Sequence, residues 1–313
     1  MYKVYVDGQY GTTGLEINKR LEGRTDIELL KMDESKRKDN AERARLINTA
    51  DIVFLCLPDD ASREAVSFLE NPNTRLIDAS TAHRTSDGWV YGIPELSKER
   101  RNEIKTAKKV TNPGCFATGF VALMYPLVLQ GIVAATYPVT CNSITGYSGR
   151  GKKWIDEFEA GDGEILSSPC FYALELNHKH LPEMQKHSGL SNPPIFTPVI
   201  ANFYRGMTVA IPLYPHLFGK KQNARELCSF FSDYYGGQKF VKVLPFNSQE
   251  NFELGFLNAT ACNNTNNLEI LIFGGDERIL AVSRLDNLGK GASGAAVQNM
   301  NIMLGLNEET GLK

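Results

Sequence analysis

The chain of 313 residues is long enough for two domains with substantial cores, and 42% hydrophobic and 22% charged residues mark an ordinary globular protein. A formal net charge of −2 supplies no basic field for nucleic acid or a membrane, so small polar ligands are the expected partners. No apolar run approaches the roughly 20 residues that cross a bilayer, no targeting segment is read at either end, and a cytoplasmic location is expected.

In chain order, Lys3–Asp7, Ile27–Met32, Asp51–Pro58 and Arg75–Ser80 run apolar for several residues, as parallel strands covered on both faces do. Between them, TTGLEINKRLE (12–22) and DDASREAVSFLE (59–70) have the apolar spacing of amphipathic helices, with Asp59 or Asp60 expected as the N-cap of the second. This alternation predicts an α/β fold with an N-terminal doubly wound, Rossmann-like domain. The stretch VTNPGCFATGF (110–120) hands a turn over to a helix expected from Phe116 to Leu129. From about 136 to 286 the pattern becomes two-periodic: VTCNSITGYS, FTPVIANFYRGMTVAIPL, NFELGFLNATACNN, LEILIFGG and RILAVSRLD. These predict an α+β second domain with a mainly antiparallel sheet, interrupted by a helix over 223–236. The chain then returns to a helix rich in small residues over 289–306.

Gly8, Gly11 and Gly14 follow the first strand and open the first helix, where glycines allow a tight turn and close approach to a pyrophosphate. Thr12 and Thr13 stand in the same loop. Their spacing is G-x-x-G-x-x-G. At the end of the second strand, Asp33 or Glu34 suits ribose hydroxyls, whereas Ser35, Arg37 and Lys38 suit a 2′-phosphate; the residues themselves leave both readings open.

The six cysteines show no C-x-x-C spacing, which argues against a zinc site and against a disulfide scaffold, so no metal is expected. Cys115 differs from the others in standing where a helix begins. Thiolate is stabilised there by the helix dipole and by N–H groups that could also hold an oxyanion. A cysteine nucleophile commonly works with a base, and His178 and His180 in ELNHKHLPEMQ are the paired candidates, pointing the same way if that segment is extended. Candidate anion-binding cations are Arg84 after a strand end, Arg150, Lys152 and Lys153 in TGYSGRGKK, and Arg205, which needs an anionic partner if buried.

Together NPGCFATG, HKHLPE, RGM, GYSGRGKK and DNLGKGASGAAVQNMNIMLG resemble N-acetyl-gamma-glutamyl-phosphate reductase, and more narrowly its shorter, type 2 form, over essentially the whole chain. The resemblance implies the fold of aspartate-semialdehyde and glyceraldehyde-3-phosphate dehydrogenases. Residues 1–113 would form the NADP-binding domain and 114–288 the catalytic and dimerisation domain, with 289–313 returning to the first. It implies NADPH as cofactor, a cysteine thioester at Cys115, and a dimer or tetramer. It places Pro58, Ser80, Asn287 and Gly291 with Leu288, Lys290 and Ala292 at the cofactor, and Asn112, Ser148, Gly149 and the cations at the substrate. Where the longer form reads His-Arg-His, Ser-Gly-Ala-Gly-Arg and Ser-Ala-Asp-Phe-Arg, this chain has 178–180, 148–152 and 80–84 with a cation retained in each. Aspartate-semialdehyde dehydrogenase, with related chemistry, is the alternative reading.

Overall fold

The computed structural model describes every residue except Lys38, Asp162, Gly163, Gln249 and Asn251. The chain forms two compact units: Met1–Gly114 with Ala292–Leu312, and Cys115–Gly291 with Lys313. Lys38, one of the expected phosphate ligands, lies outside the described residues.

In the first unit the elements run β1 (Tyr2–Asp7), α1 (Thr12–Leu21), β2 (Ile27–Leu30), α2 (Asn40–Thr49), β3 (Ile52–Leu55), α3 (Asp59–Ser67), β4 (Arg75–Asp78), β5 (Val90–Tyr91), α4 (Lys98–Thr106) and β6 (Lys109–Thr111). The sheet order is β2-β1-β3-β4-β6-β5, with every pairing parallel. Alternate residues of the strands feed two cores. Val4, Val6, Ile52, Phe54 and Ile77 face one layer of helices, and Tyr5, Val53, Leu55 and Leu76 face the other. That two-sided burial is why these strands read as continuous apolar runs.

Two local expectations are corrected. α3 is capped by Pro58 without a side-chain bond, and Asp59 instead accepts from the backbone N–H and hydroxyl of Thr81. Helix α2 was not foreseen, because a buried position on its inner face is an arginine. Arg43 donates to Asp7 at 3.0 Å and to Glu64 at 2.9 Å, so the element lacks an apolar stripe.

In the second unit the order is α5 (Cys115–Leu129), β7 (Thr140–Gly146), α6 (Lys152–Ala160), β8 (Cys170–Phe171), α7 (Leu181–Ser188), β9 (Ile195–Ala201), β10 (Met207–Leu213), α8 (Ala224–Tyr234), β11 (Val241–Val243), β12 (Phe252–Glu253), β13 (Phe256–Leu257), β14 (Leu268–Gly274) and β15 (Ile279–Leu285). Its sheet has the order β11-β14-β15-β10-β7-β9-β8. Pairings are antiparallel except β11–β14 and β7–β9, which are parallel. Of the strand expected over 251–264, the described residues 252–264 supply only the short β12–β13 hairpin and then turns, with Asn264 at φ 63°.

The chain ends in α9 (Gly294–Leu304), preceded by a π-helical turn over Gly289–Ser293. α9 belongs to the first unit, and its residues from Gly294 to Met303 are all buried. Val297, Met300 and Met303 enter the apolar core, each burial contributing about 1.5–3 kcal/mol. Its amides have partners: Gln298 donates to Glu95 and Asn299 to the carbonyl of Gly92. No helix among the described residues is long and apolar enough to cross a membrane.

Gly8 has φ 92°, and a Cβ there would stand 2.2 Å from the Cys56 carbonyl oxygen. Gly8→Ala is therefore expected to lower Tm without added cofactor and to weaken NADPH binding, checked by thermal denaturation and fluorescence titration; wild-type values for both would contradict this account of the loop.

Candidate active site

The candidate nucleotide-binding residues lie in the first unit. Gly8 follows β1, and Gly11 caps α1 without a side-chain bond. The N–H groups of Thr12, Thr13 and Gly14 open that helix, and such groups have no partner within a helix. A cleft of about 480 Å³ runs beside them, lined by Gly8, Gln9, Gly11, Arg37, Pro58 and Glu64 among others. Its size suits a cofactor portion. Asp33 is turned away from a ribose role: its carboxylate accepts from the N–H and the hydroxyl of Ser35 at 2.9 and 2.7 Å. These bonds hold it below the usual carboxylate range. Arg37 stands in the cleft lining. An arginine in the cleft beside a preoccupied acid fits a 2′-phosphate better than a bare ribose hydroxyl pair.

Ser80, Arg84 and Asn112 also lie in the first unit, at the carboxyl ends of β4 and β6, and all are buried. The Asp78 carboxylate accepts from the N–H and hydroxyl of Ser80, and His83 Nδ1 lies 2.6 Å from it. Arg84 donates to the carbonyls of Ala79 and Asn112. Asn112 donates its backbone N–H to Asp78 and its amide to Ala292. The loop after β4 and the turn after β6 are thereby stitched together.

The chemistry-bearing side chains lie in the second unit. Cys115 is the first residue of α5, half-buried. Residues Phe116–Met124 of that helix are buried. Gly291 passes so close that a Cβ on it would meet the Cys115 Cβ at 2.8 Å, which explains a glycine there. Phe116 carries the next contact: its ring centroid lies 5.9 Å from that of His178 and 6.0 Å from that of His180. The two imidazoles meet edge-on at 4.7 Å. The segment is not extended as the spacing suggested; His180 is in the αR region as the N-cap of α7. Its backbone N–H donates to His178 Nδ1 at 3.1 Å. That bond fixes His178 Nδ1 as an acceptor, so the neutral ring carries its proton on Nε2. His180 is 5% exposed, with Nε2 4.0 Å from Glu183 Oε1 one turn along α7.

The remaining expected residues fall into two groups. Asn287 donates to the Ser148 hydroxyl at 3.0 Å and accepts from Gly206 N–H at 2.8 Å, bracing the turn that holds Ser148, Gly149 and Arg150. Arg205, only partly buried, has an anionic partner: Asp286 at 3.5 Å, itself fully buried, with Asn264 at 2.9 Å. Lys152 is exposed at the start of α6, and Lys290 is buried with its ammonium 5.8 Å from the Phe240 ring. Sequence reading missed Tyr172, Glu183 and Asp286. Glu183 was discoverable, because i to i+3 spacing from His180 puts both on one face once a helix begins there.

The semialdehyde dehydrogenase NAD-binding domain family matches residues 3–107, and the semialdehyde dehydrogenase dimerisation domain family matches 115–287. N-acetyl-gamma-glutamyl-phosphate reductase 2 of Nostoc sp. is 49% identical over 318 aligned positions, covering 99% of both chains. The chain belongs to the N-acetyl-gamma-glutamyl-phosphate reductase family. A second member, N-acetyl-gamma-glutamyl-phosphate reductase 2 of Pseudomonas putida, is 43% identical over 96% of each chain. Aspartate semialdehyde dehydrogenase II of Vibrio cholerae, solved with ASA, shares the fold at TM-score 0.72 and 15% identity, covering 97% of this chain and 98% of its own. The Francisella tularensis aspartate semialdehyde dehydrogenase gives 0.72 at 18% identity, over 97% and 100%. The protein is thus an NADP-dependent oxidoreductase of the glyceraldehyde-3-phosphate dehydrogenase-like α/β class.

Arg37→Ala is expected to raise KM for NADPH by roughly tenfold, the scale of one lost charge-assisted contact, while changing KM for NADH little. Steady-state kinetics with both nucleotides checks it; an equal effect on both would remove Arg37 from phosphate recognition.

Proposed function

We propose that the protein reduces N-acetyl-L-glutamyl 5-phosphate to N-acetyl-L-glutamate 5-semialdehyde with release of phosphate, in arginine biosynthesis. The observation that carries this reading is the helix-start Cys115 clustered with His178 and His180, in a chain 49% identical to a reductase of that name. NADPH, when bound, supplies the hydride that reduces the acyl carbon. The chain's own residues do the rest.

His180 takes the Cys115 proton, and the thiolate attacks the acyl carbonyl carbon. N–H groups at the start of α5 hold the developing oxyanion. The carbonyl–phosphate bond breaks, and the departing phosphate receives the proton from His180. A thioester remains on Cys115. After reduction at carbon, the thiohemiacetal oxyanion expels the Cys115 thiolate and leaves the aldehyde; His180 then returns a proton from solvent to sulfur. His180 takes the base role because His178 Nδ1 is already an acceptor for a backbone N–H, and protonation there would set two donors against each other. His178 is left to donate from Nε2 to the substrate. Glu183 stabilises the imidazolium of His180. Arg205, balanced by Asp286, is placed to receive the substrate carboxylate, with Arg84, Arg150 or Lys152 for the phosphate.

Self-association is supported by the dimerisation domain family that matches 115–287; a dimer or tetramer built through the second unit is the proposed state, in the cytoplasm.

Cys115→Ala should abolish turnover while preserving NADPH affinity, measured by absorbance of NADPH and by titration; substantial residual turnover would sink the covalent route. His180→Asn should lower kcat by about 10²-fold or more, and His178→Asn should act mainly on KM. A larger kcat loss for His178→Asn would reverse the two roles. Phosphate-dependent NADP reduction should proceed with N-acetylglutamate semialdehyde and far more slowly with aspartate semialdehyde; the opposite preference would favour an aspartate-semialdehyde dehydrogenase.

A further inference from the structure

The cations expected at the anion sites are held in different ways. Arg84 is committed to backbone carbonyls, and Arg205 is matched by a buried carboxylate. Arg150 rests on aromatic rings. Its guanidinium carbon lies 4.2 Å from the Trp154 centroid and 4.8 Å from that of Tyr172. Among the described residues no carboxylate stands within ion-pair distance of it. Stacking engages the flat face of a guanidinium and leaves its edge N–H groups for an anion.

Tyr172 connects this stack to the histidine pair. Its ring meets His178 at 5.8 Å in an edge-on contact. Burial, and then the charge of the nearby Cys115, push its phenol well above the ordinary range, while Arg150 opposes them. Tyr172 therefore stays neutral and lies within electrostatic reach of both the sulfur and the guanidinium. Its backbone neighbourhood is unusual. Phe171 and Leu174 are 62% and 66% exposed, and Ala173 and Leu176 adopt φ of 52° and 55°. Left-handed conformations are disfavoured for such residues and persist where surrounding structure enforces them. In this strap the apolar neighbours face solvent while Tyr172 turns inward against Arg150 and His178.

The geometry points to Tyr172 as a positioning residue that, with Trp154, holds Arg150 on the His178 side of the thiol site and so selects Arg150 to receive the anionic leaving group. The identity of that group as phosphate rests on the function proposed above; the stacking of the cation on the ring that meets His178 does not. The phenolic hydroxyl is dispensable in this role, since the ring face makes the contact.

Alkylation of Cys115 by iodoacetate, an anion, and by iodoacetamide, its neutral counterpart, tests the placement, with the modified peptide identified by mass. The iodoacetate-to-iodoacetamide rate ratio should fall roughly two- to fivefold in Arg150→Leu, as befits one partly exposed charge. Tyr172→Ala should lower the ratio equally and Trp154→Leu in part, while Tyr172→Phe keeps the wild-type ratio. The iodoacetamide rate serves as an internal control for an intact thiol environment in each variant. A wild-type ratio in Arg150→Leu would remove the cation from the thiol, and a wild-type ratio in Tyr172→Ala would remove the clamp. In turnover, Tyr172→Ala should raise KM for the acyl phosphate more than it lowers kcat, with Tyr172→Phe rescuing. Absence of any turnover with N-acetyl-glutamyl phosphate in the unmodified enzyme would overturn the substrate assignment while the alkylation ratios still decide the clamp.

Discussion

The second unit is organised by the burial of α5. From Phe116 to Met124 its side chains are removed from water, against β10, β15 and α7. A helix enclosed in this way has no polar face along which to slide, because any shift would open cavities costing several kcal/mol. Its first residue is consequently a fixed point, and that residue is Cys115. α7 packs on α5, so the histidine that caps α7 is located by the same core.

Charge is distributed around this fixed point with economy. One imidazole has its Nδ1 occupied as acceptor of a backbone N–H, and the other faces Glu183. Arg205 is neutralised internally by Asp286, whereas Arg150 is held by rings that leave its charge uncancelled. An arginine matched by a carboxylate recognises shape and hydrogen-bond geometry; one held by aromatic faces keeps its full field for an incoming anion. On the nucleotide side the same logic appears in reverse, with Asp33 preoccupied by Ser35 and Arg37 left in the cleft.

Legibility in the sequence followed burial pattern. Strands β1, β3 and β4 were visible because both their faces are apolar. α2 was hidden because Arg43 occupies an inward position through its pairing with Asp7 and Glu64. NFELGFLNATACNN alternates like a strand, yet its described residues 252–264 form mostly turns, since only short pieces of it find a partner. Within the site, Cys115, the glycines and the histidine pair were readable as residue types at telling positions. Tyr172 was not, because nothing in CFYALEL distinguishes the inward ring from its exposed neighbours.

The sequence by itself determined the doubly wound first half, the glycine turn at Gly8, the thiol at the start of a helix, and the membership of its motifs in one enzyme family. These depend on local spacing, on backbone conformations few residues adopt, and on short contiguous motifs. Only the tertiary structure decided which histidine ring is locked as an acceptor, which arginine is already matched by a carboxylate, and which aromatic turns inward onto Arg150 and His178. The arginine contacts depend on partners from other segments, Asp286 for Arg205 and Tyr172 for Arg150, and the histidine lock on the αR turn that opens α7; a side chain's charge or tautomer is set by whatever the folded chain brings against it.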